Sequence, residues 1–378
     1  MGEPRALVIG GTGPTGPFVV EGLAHRGYDV TILHGGQHEV EFAVSDVRHI
    51  HVDPHFAETL REGIGDETFD VVVAQYGRLR IIADVFRGRT DRLVAIGGAT
   101  ALFAGDEDER WGATGQPALF PDTSEIYVRD AGEDNSRKLG LRMVQAMQGL
   151  FERHAAGDYA ATYIGYPVNY GPRSPGPYDW SIIRRVLDGR RTFVLADGGI
   201  KMESRIYTEN AAASVLLAVD NPDVAAGKRY SVADQYAFTM RQRVAFIGRH
   251  LGHELEIVDM PYDVAWPCHP LYRHSREHKM CQSTRIRAEL GYADPVAPDV
   301  ALAREVDWLL ENRPEPGGEL ERQVGDPFDY EAEDALVARW RAARDGLGAV
   351  ESPLPVQGHQ YRHPKKPGEA WTAGAPAR

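Results

Sequence analysis

The stretch RALVIGGTGPTG, residues 5–16, decides the fold expected of this chain. It begins with a short apolar run typical of a buried strand, and residues 17–26 after it have the apolar spacing of a helix. Gly10, Gly13 and Gly16 lie between the two. Glycine allows a sharp turn and lets the backbone approach a pyrophosphate, which the N–H groups and dipole at a helix N-terminus then stabilise. The order strand, glycine turn, helix predicts a dinucleotide site; the alternative is a tight turn without a ligand.

The pattern continues through the first half of the chain. Strand-like runs are followed or separated by helix-compatible segments, and strands alternating with helices predict a parallel sheet covered on both faces. We therefore expect an α/β protein with a Rossmann-like, doubly wound parallel sheet and a smaller mixed C-terminal substrate domain. The predicted strands are 28–33, 49–52, 69–74, 92–96 and 159–165, and the predicted helices are 56–64, 78–87 and 133–154.

Three regions are predicted along the chain. Residues 1–172 form the nucleotide-binding domain, residues 173–348 form the substrate-binding part, and residues 349–378 form an extended or disordered tail rich in Pro, Gly, His and Lys. The segment 97–132 has little periodicity and is expected to be a lid. The second region is expected to hold helices near 209–219, 239–251, 284–290, 300–311 and 329–345, and a strand near 229–233.

Composition narrows the functional class. The chain of 378 residues has 42 Lys and Arg against 55 Asp and Glu, a net charge of −13 that repels a phosphate backbone, so nucleic acid is not an expected partner. Local anion sites remain open at Arg184, Arg185, Arg190 and Arg191. No apolar stretch is long enough to span a membrane, no leader pattern is present, and the 2 cysteines are too few for a disulfide framework. We expect a soluble, cytoplasmic protein that does not bind a membrane.

The end of the second strand bears on the choice of dinucleotide. An acid there binds the ribose hydroxyls of NAD, whereas a basic residue accommodates the 2′-phosphate of NADP. His34 ends this run, and the first carboxylate after it is Glu39. The missing acid favours NADP, with Thr12 and His34 as phosphate contacts. No arginine stands at this position either, so NAD remains a possible cofactor.

Several motifs together resemble the extended short-chain dehydrogenases, the NAD-dependent epimerase/dehydratase family. They are GGTGPTG at 10–16, VDP at 52–54, FDVVVA at 69–74 and YPVNYGP at 166–172, followed by segments such as GKRYSVAD and RAELGY. The resemblance places Asp53 near adenine, Ala74 and Gln75 under the pyrophosphate and ribose, and Tyr166, Pro167 and Val168 along the nicotinamide. The full predicted cofactor set is Gly10, Thr12, Gly13, Pro14, Thr15, Gly16, His34, Asp53, Ala74, Gln75, Lys138, Tyr166, Pro167 and Val168.

Two catalytic positions depart from the family pattern. The resemblance implies a tyrosine acid/base four residues before a lysine, and here Asp134 precedes Lys138; the family's Ser or Thr after the fifth strand corresponds to Gly97 and Gly98. A phenol has a pKa near ~10 that a lysine lowers, whereas an aspartate starts near ~3.9 and stays ionised beside a cation. Asp134 is therefore either a poor replacement or an ordinary acid in the first turn of a helix. The candidate catalytic residues are Lys138, Asp134, Tyr127 and Thr100, with Tyr170 as a further hydroxyl.

The substrate region offers two more groups of candidates. Residues 266–281 contain Cys268, Cys281 and His269, His274 and His278; His274 and His278 would share a face if this segment were helical, but the spacing does not predict a metal. We expect these histidines to be polar contacts near the substrate. Arg184, Arg185 and Arg205 lie where the resemblance places nucleotide-sugar phosphates, and the alternative is that they pair with Asp188 or Asp179.

The sequence thus predicts an NAD(P)-dependent oxidoreductase or epimerase/dehydratase-like enzyme with a non-standard proton donor, acting on a small or medium polar metabolite. Hydride addition to a conjugated double bond would tolerate the missing tyrosine better than carbonyl reduction. The alternative is a catalytically silent NAD(P)-binding regulatory or scaffold protein. The resemblance also implies a homodimer formed through the helices at 78–87 and 133–154.

Overall fold

The structure is a computed structural model. It describes residues 2–99, 135–273, 276–348 and 366–369, and of 135–137 the backbone alone. The chain divides into two compact units, Met1–Phe328 and Asp329–Arg378. The predicted lid, apart from residues 97–99, and most of the predicted tail lie outside the described residues.

A seven-stranded sheet forms the centre of the first unit. The strand order is β10-β6-β5-β4-β1-β2-β3, and all six pairings are parallel. This confirms the predicted doubly wound α/β architecture. The strands are β1 (Arg5–Ile9), β2 (Asp29–His34), β3 (Arg48–His51), β4 (Phe69–Ala74), β5 (Thr90–Gly98), β6 (Ala160–Tyr166) and β10 (Lys228–Ser231).

The apolar runs form central strands because both faces of this sheet are covered. Along β1, Ala6 and Val8 pack into the core on one face, and Leu7 and Ile9 pack into the core on the other. Successive strand residues point to opposite faces, so a strand buried on both sides needs an unbroken apolar run. The helices beside the sheet are α1 (Gly16–Ala24), α2 (Ala57–Ile64), α3 (Leu79–Val85), α4 (Asn135–Ala155) and α6 (Thr208–Asp220).

The rest of the first unit is a mixed region with two small parallel sheets, β11–β8 and β7–β9. The predicted helices and the predicted strand of this region are present, whereas β7, β8, β9, β11, α5, α7, α9 and α12 were not predicted from the sequence. The strands are β7 (Val168–Tyr170), β8 (Thr192–Ala196), β9 (Arg205–Tyr207) and β11 (Glu256–Met260), and the helices are α5 (Trp180–Leu187), α7 (Pro222–Ala225), α8 (Met240–His250), α9 (His269–Tyr272), α10 (Thr284–Leu290), α11 (Pro298–Glu311) and α12 (Glu319–Val324).

The second unit contains the predicted last helix, α13 (Tyr330–Gly346). The Asp329 side chain caps it by accepting a hydrogen bond from the Ala332 N–H at 3.0 Å. Across the described part of the chain, no helix is both long and apolar enough to cross a membrane.

Candidate functional site

The glycine turn lies at the carboxyl end of β1, and two of its glycines are required by the space around them. Gly10 has φ +113, and a Cβ there would lie 3.2 Å from the Cβ of Tyr76. A Cβ on Gly16 would lie 2.2 Å from the Gly11 carbonyl oxygen. The turn can therefore close only with glycine at these positions.

Gly13 is different because its surroundings are open. A Cβ added to Gly13 would meet no atom of the described chain within 4 Å. The neighbouring Pro17 stands in the first turn of α1, where its missing N–H costs no helix hydrogen bond. The positive end of the dipole of this helix therefore lies beside a backbone that a ligand can approach closely.

Gln75 and Tyr166 extend the site from the turn across the sheet edge. The Thr15 hydroxyl donates a hydrogen bond to Gln75 Oε1 at 2.6 Å and is also hydrogen-bonded to the Tyr166 hydroxyl. The buried Gln75 Nε2 has no hydrogen-bond partner in the described residues. A buried amide donor without a partner costs free energy that an acceptor oxygen would remove. Burial raises the pKa of Tyr166 to about 12, so this hydroxyl stays protonated near neutral pH.

The predicted adenine side carries two aromatic residues that the sequence analysis missed. Asp53 accepts hydrogen bonds from the His55 backbone N–H at 2.9 Å and from the His55 ring at 2.7 Å. These hydrogen bonds, the backbone one most of all, lower the pKa of Asp53. His55 packs edge-on against the half-exposed Tyr76, with ring centroids 4.9 Å apart. Flat, exposed rings beside a carboxylate suit an adenosine moiety, but no spacing rule connects these residues in the sequence.

His34 is buried at the end of β2 and is engaged with other protein groups. Its Nε2 lies 3.2 Å from His49 Nδ1, and its Nδ1 accepts the Gly36 N–H at 3.3 Å. Burial lowers the pKa of His34, so the ring is neutral near pH 7. A neutral, hydrogen-bonded imidazole gives a 2′-phosphate less support than the sequence alone suggested.

Gly97, one of the two glycines that the family resemblance aligned with a serine, has no room for a side chain. A Cβ on Gly97 would lie 2.1 Å from the Tyr163 hydroxyl oxygen, because the buried Tyr163 ring of β6 occupies that space. The Tyr163 hydroxyl donates to the Gly98 carbonyl at 3.1 Å. The chain therefore has a tyrosine in the volume that a serine side chain would need.

The other catalytic candidates have different outcomes. Lys138 is a partly exposed residue in the first turn of α4. The buried Tyr170 hydroxyl donates a hydrogen bond to Asp234 at 2.7 Å. Thr100, Tyr127 and Asp134 lie outside the described residues.

The arginines predicted to hold phosphates are paired with carboxylates. Arg184 is bonded to Asp188 at 2.7 Å, as the alternative interpretation had it, and also to Glu321 at 2.6 Å. Arg205 contacts the buried Asp179 at 3.3 Å. The remaining pair is Arg185 with Asp326, at 2.5 Å.

Helix α9 ends at Tyr272, and the described residues around His278 are not helical, so this part of the segment differs from the helix on which His274 and His278 would share a face. Arg273 ends α9 with φ +49, and the bridge between Lys279 and Glu203 makes the chain extended near His278. His278 accepts the Met202 N–H at 3.0 Å, and His269 donates to the Tyr262 carbonyl at 2.9 Å. His274 lies outside the described residues, and both cysteines are buried and free.

Comparison with known proteins gives one curated relative of unassigned function and many structural neighbours. No family model matches the chain. An uncharacterized protein, y4nL of Sinorhizobium fredii, is 25% identical over 209 residues, which cover 49% of this chain and 56% of that protein. The chain thus spans little more than half the length of this relative.

The solved structures agree closely in architecture. The UDP-glucose 4-epimerase of Thermotoga maritima, solved with UDP-glucose, is 15% identical with a TM-score of 0.62, covering 82% of this chain and 99% of its own. The dTDP-glucose 4,6-dehydratase DesIV of Streptomyces venezuelae, solved with NAD, is 19% identical with a TM-score of 0.61, covering 82% and 98%. The dTDP-glucose 4,6-dehydratase of Bacillus anthracis, also with NAD, is 13% identical with a TM-score of 0.62, covering 82% and 97%. The chain therefore has the fold of these epimerases and dehydratases.

Proposed function

We propose that the protein is an NAD(P)-dependent oxidoreductase or epimerase/dehydratase-like enzyme acting on a small or medium polar metabolite. The observation that supports the proposal is the buried Gln75 Nε2, which has no hydrogen-bond partner among the described residues and lies beside a glycine turn that these residues leave open at Gly13. The turn and Gln75 lie at the carboxyl ends of adjacent strands, where parallel α/β sheets bind their ligands.

The residues of the site have distinct roles in this proposal. The N–H groups at the start of α1 bind the pyrophosphate, and Thr15 holds Gln75 so that its amide donor faces the dinucleotide. Asp53 and the Tyr76–His55 pair receive the adenosine part. Lys138 supplies a cation for the nicotinamide ribose, as the family resemblance implies.

Tyr166 is the described hydroxyl best suited to a proton-holding role. It stays protonated at neutral pH, since burial raises its pKa to about 12. A protonated phenol donates a hydrogen bond but is a weak base. A bound nicotinamide would supply hydride transfer, and the site favours reactions that need little base help, such as reduction of a conjugated double bond.

A second candidate function is supported by Gly97. Tyr163 occupies the space of a side chain at Gly97, the position that the family resemblance aligns with a serine, and this would leave that position without a hydroxyl. A silent dinucleotide-binding protein would have the same feature. The two functions differ in whether bound dinucleotide turns over.

Titration with NADH and NADPH tests binding first. Gly13→Val is expected to fold as the wild type does, because the added atoms enter open space, and to lose at least about 10-fold in affinity because they block the approach of the pyrophosphate. Gly149→Val on α4 is the matched control, since a Cβ at Gly149 also meets no atom of the described residues within 4 Å. Equal affinity in wild type and Gly13→Val would refute the dinucleotide site.

The same titration compares NADPH, which the missing acid after β2 favours, with NADH. Nicotinamide absorbance is then followed with a panel of carbonyl and enone compounds, in wild type and in Lys138→Ala. Turnover that falls in Lys138→Ala supports the enzyme. Tight binding without turnover on any compound supports the silent protein.

A further inference from the structure

Three histidines and a glutamate form a compact cluster at the edge of the sheet, and one of them is His34, which the sequence analysis predicted as a phosphate contact. His34, Glu39, His49 and His51 each offer one ligand atom, and these four atoms lie within 4.8 Å of one another. His34 is buried, and the other side chains are 25% exposed for His49, 53% for His51 and 59% for Glu39. The cluster is thus anchored in the protein and accessible from solvent.

The pairing of two strands places the three rings together. In the register of β2 with β3, His34 stands opposite His51, and Ile32 stands opposite His49. His49 and His51 are two residues apart on one strand, so their side chains share a face, and His34 joins them from the neighbouring strand. Glu39 reaches the same point from the connection between the strands.

Three of the separations between the ligand atoms are close to those expected around one metal ion, and every pair lies within 4.8 Å. His34 Nε2 and His49 Nδ1 are 3.2 Å apart, and oxygens of Glu39 lie 3.6 Å from His49 Nδ1 and 3.5 Å from His51 Nε2. Tetrahedral zinc, with ligand bonds of about 2.0–2.1 Å, places neighbouring ligand atoms about 3.3 Å apart. Imidazole and carboxylate are ordinary ligands of this ion.

We propose that His34, Glu39, His49 and His51 bind a divalent transition-metal ion of the zinc class. Four protein ligands close the coordination sphere, so the ion has a structural role: it holds the connection that carries Glu39 against the edge strand β3. The inference is independent of the proposed dinucleotide chemistry.

Two features of the cluster bear on this assignment. The Glu39 carboxylate beside the rings disfavours an anion such as a 2′-phosphate at the same point. The Gly36 N–H contact to His34 Nδ1, at 3.3 Å, implies that the neutral ring carries its proton on Nε2. Zinc binds at Nε2 and must displace the proton from that nitrogen. The Gly36 contact to Nδ1 is long for a hydrogen bond, so losing this contact when the proton is rearranged costs little free energy.

Zinc binding to the full-length, tag-free protein tests the proposal. The protein is stripped with a chelator and titrated with Zn²⁺ against a chromophoric zinc indicator, and bound metal is measured by mass spectrometry. The variants are His51→Gln and Glu39→Gln, whose exposed side chains make misfolding unexpected. His38→Gln is the matched control, an exposed histidine next to Glu39 in sequence but outside the cluster.

We expect one Zn²⁺ per chain in wild type and in the control, and a loss of at least about 10-fold in affinity in each cluster variant. Zn²⁺ should raise the melting temperature of wild type and control only. Two results would overturn the proposal: equal zinc affinity in all four proteins, or protection from thermal unfolding by inorganic phosphate or a 2′-phosphonucleotide but not by Zn²⁺.

Discussion

Replacing Gly97 with serine adds a side chain where the structure leaves no room, and we predict that the change destabilises this protein. The added Cβ would lie 2.1 Å from the Tyr163 hydroxyl oxygen and 2.8 Å from its Cζ, so the buried ring must move. Overpacking of this kind costs about 1–3 kcal/mol. A displaced ring also loses its hydrogen bond to the Gly98 carbonyl, and a buried donor without a partner costs about 1–3 kcal/mol more. We expect a total loss of about 2–6 kcal/mol in the free energy of unfolding.

Urea unfolding of Gly97→Ser, Tyr163→Ala and the double variant measures this effect. Tyr163→Ala alone should cost about 3–5 kcal/mol because it leaves a cavity in the core. The double variant should be more stable than the sum predicts by about 1–3 kcal/mol, since the serine then enters space that the ring has left. Gly149→Ser is the control, because a Cβ there meets nothing within 4 Å. Additive costs, or a Gly97→Ser protein as stable as wild type, would refute the reasoning.

Three further predictions concern stability. Asp326→Ala removes the carboxylate from the buried Arg185 guanidinium and should cost about 3–5 kcal/mol in urea unfolding, whereas a loss below about 1 kcal/mol would contradict it. Burial raises the pKa of Asp234 from 3.8 to about 6. The protonated carboxyl therefore contributes stability that is fully present below about pH 4 and is lost as the pH rises through 6. The free energy of unfolding changes by about 3 kcal/mol over this range. The free energy of unfolding should fall less steeply between pH 4 and 7 in Asp234→Asn than in wild type, and equal slopes would exclude this assignment. In Gly16→Ala the Cβ would lie 2.2 Å from the Gly11 carbonyl oxygen, so both the melting temperature and dinucleotide affinity should drop; a wild-type melting temperature would count against the tight turn.

Much of the first half of the fold was predictable because its structure is decided locally. The apolar runs of β1 and β4 are long enough for central strands, and the glycines between β1 and α1 mark a turn that other residues cannot make. The short strands β8 and β11 were missed. Each of these strands has five residues, and within the described residues each pairs only with the other. Neither sequence contains a feature that identifies the strand with which it pairs.

The sequence by itself determined the parallel sheet, the glycine turn and the position of the predicted dinucleotide site, because each depends on neighbouring residues and their periodicity. Tertiary structure alone decided which side chains surround that site. It placed Tyr163 against Gly97 and left Gln75 Nε2 buried with no hydrogen-bond partner among the described residues. It also brought His34, from one strand, to His49 and His51 on the next. These outcomes depend on strand register and packing. Both bring together residues that are far apart in the chain, so no local sequence pattern predicts them.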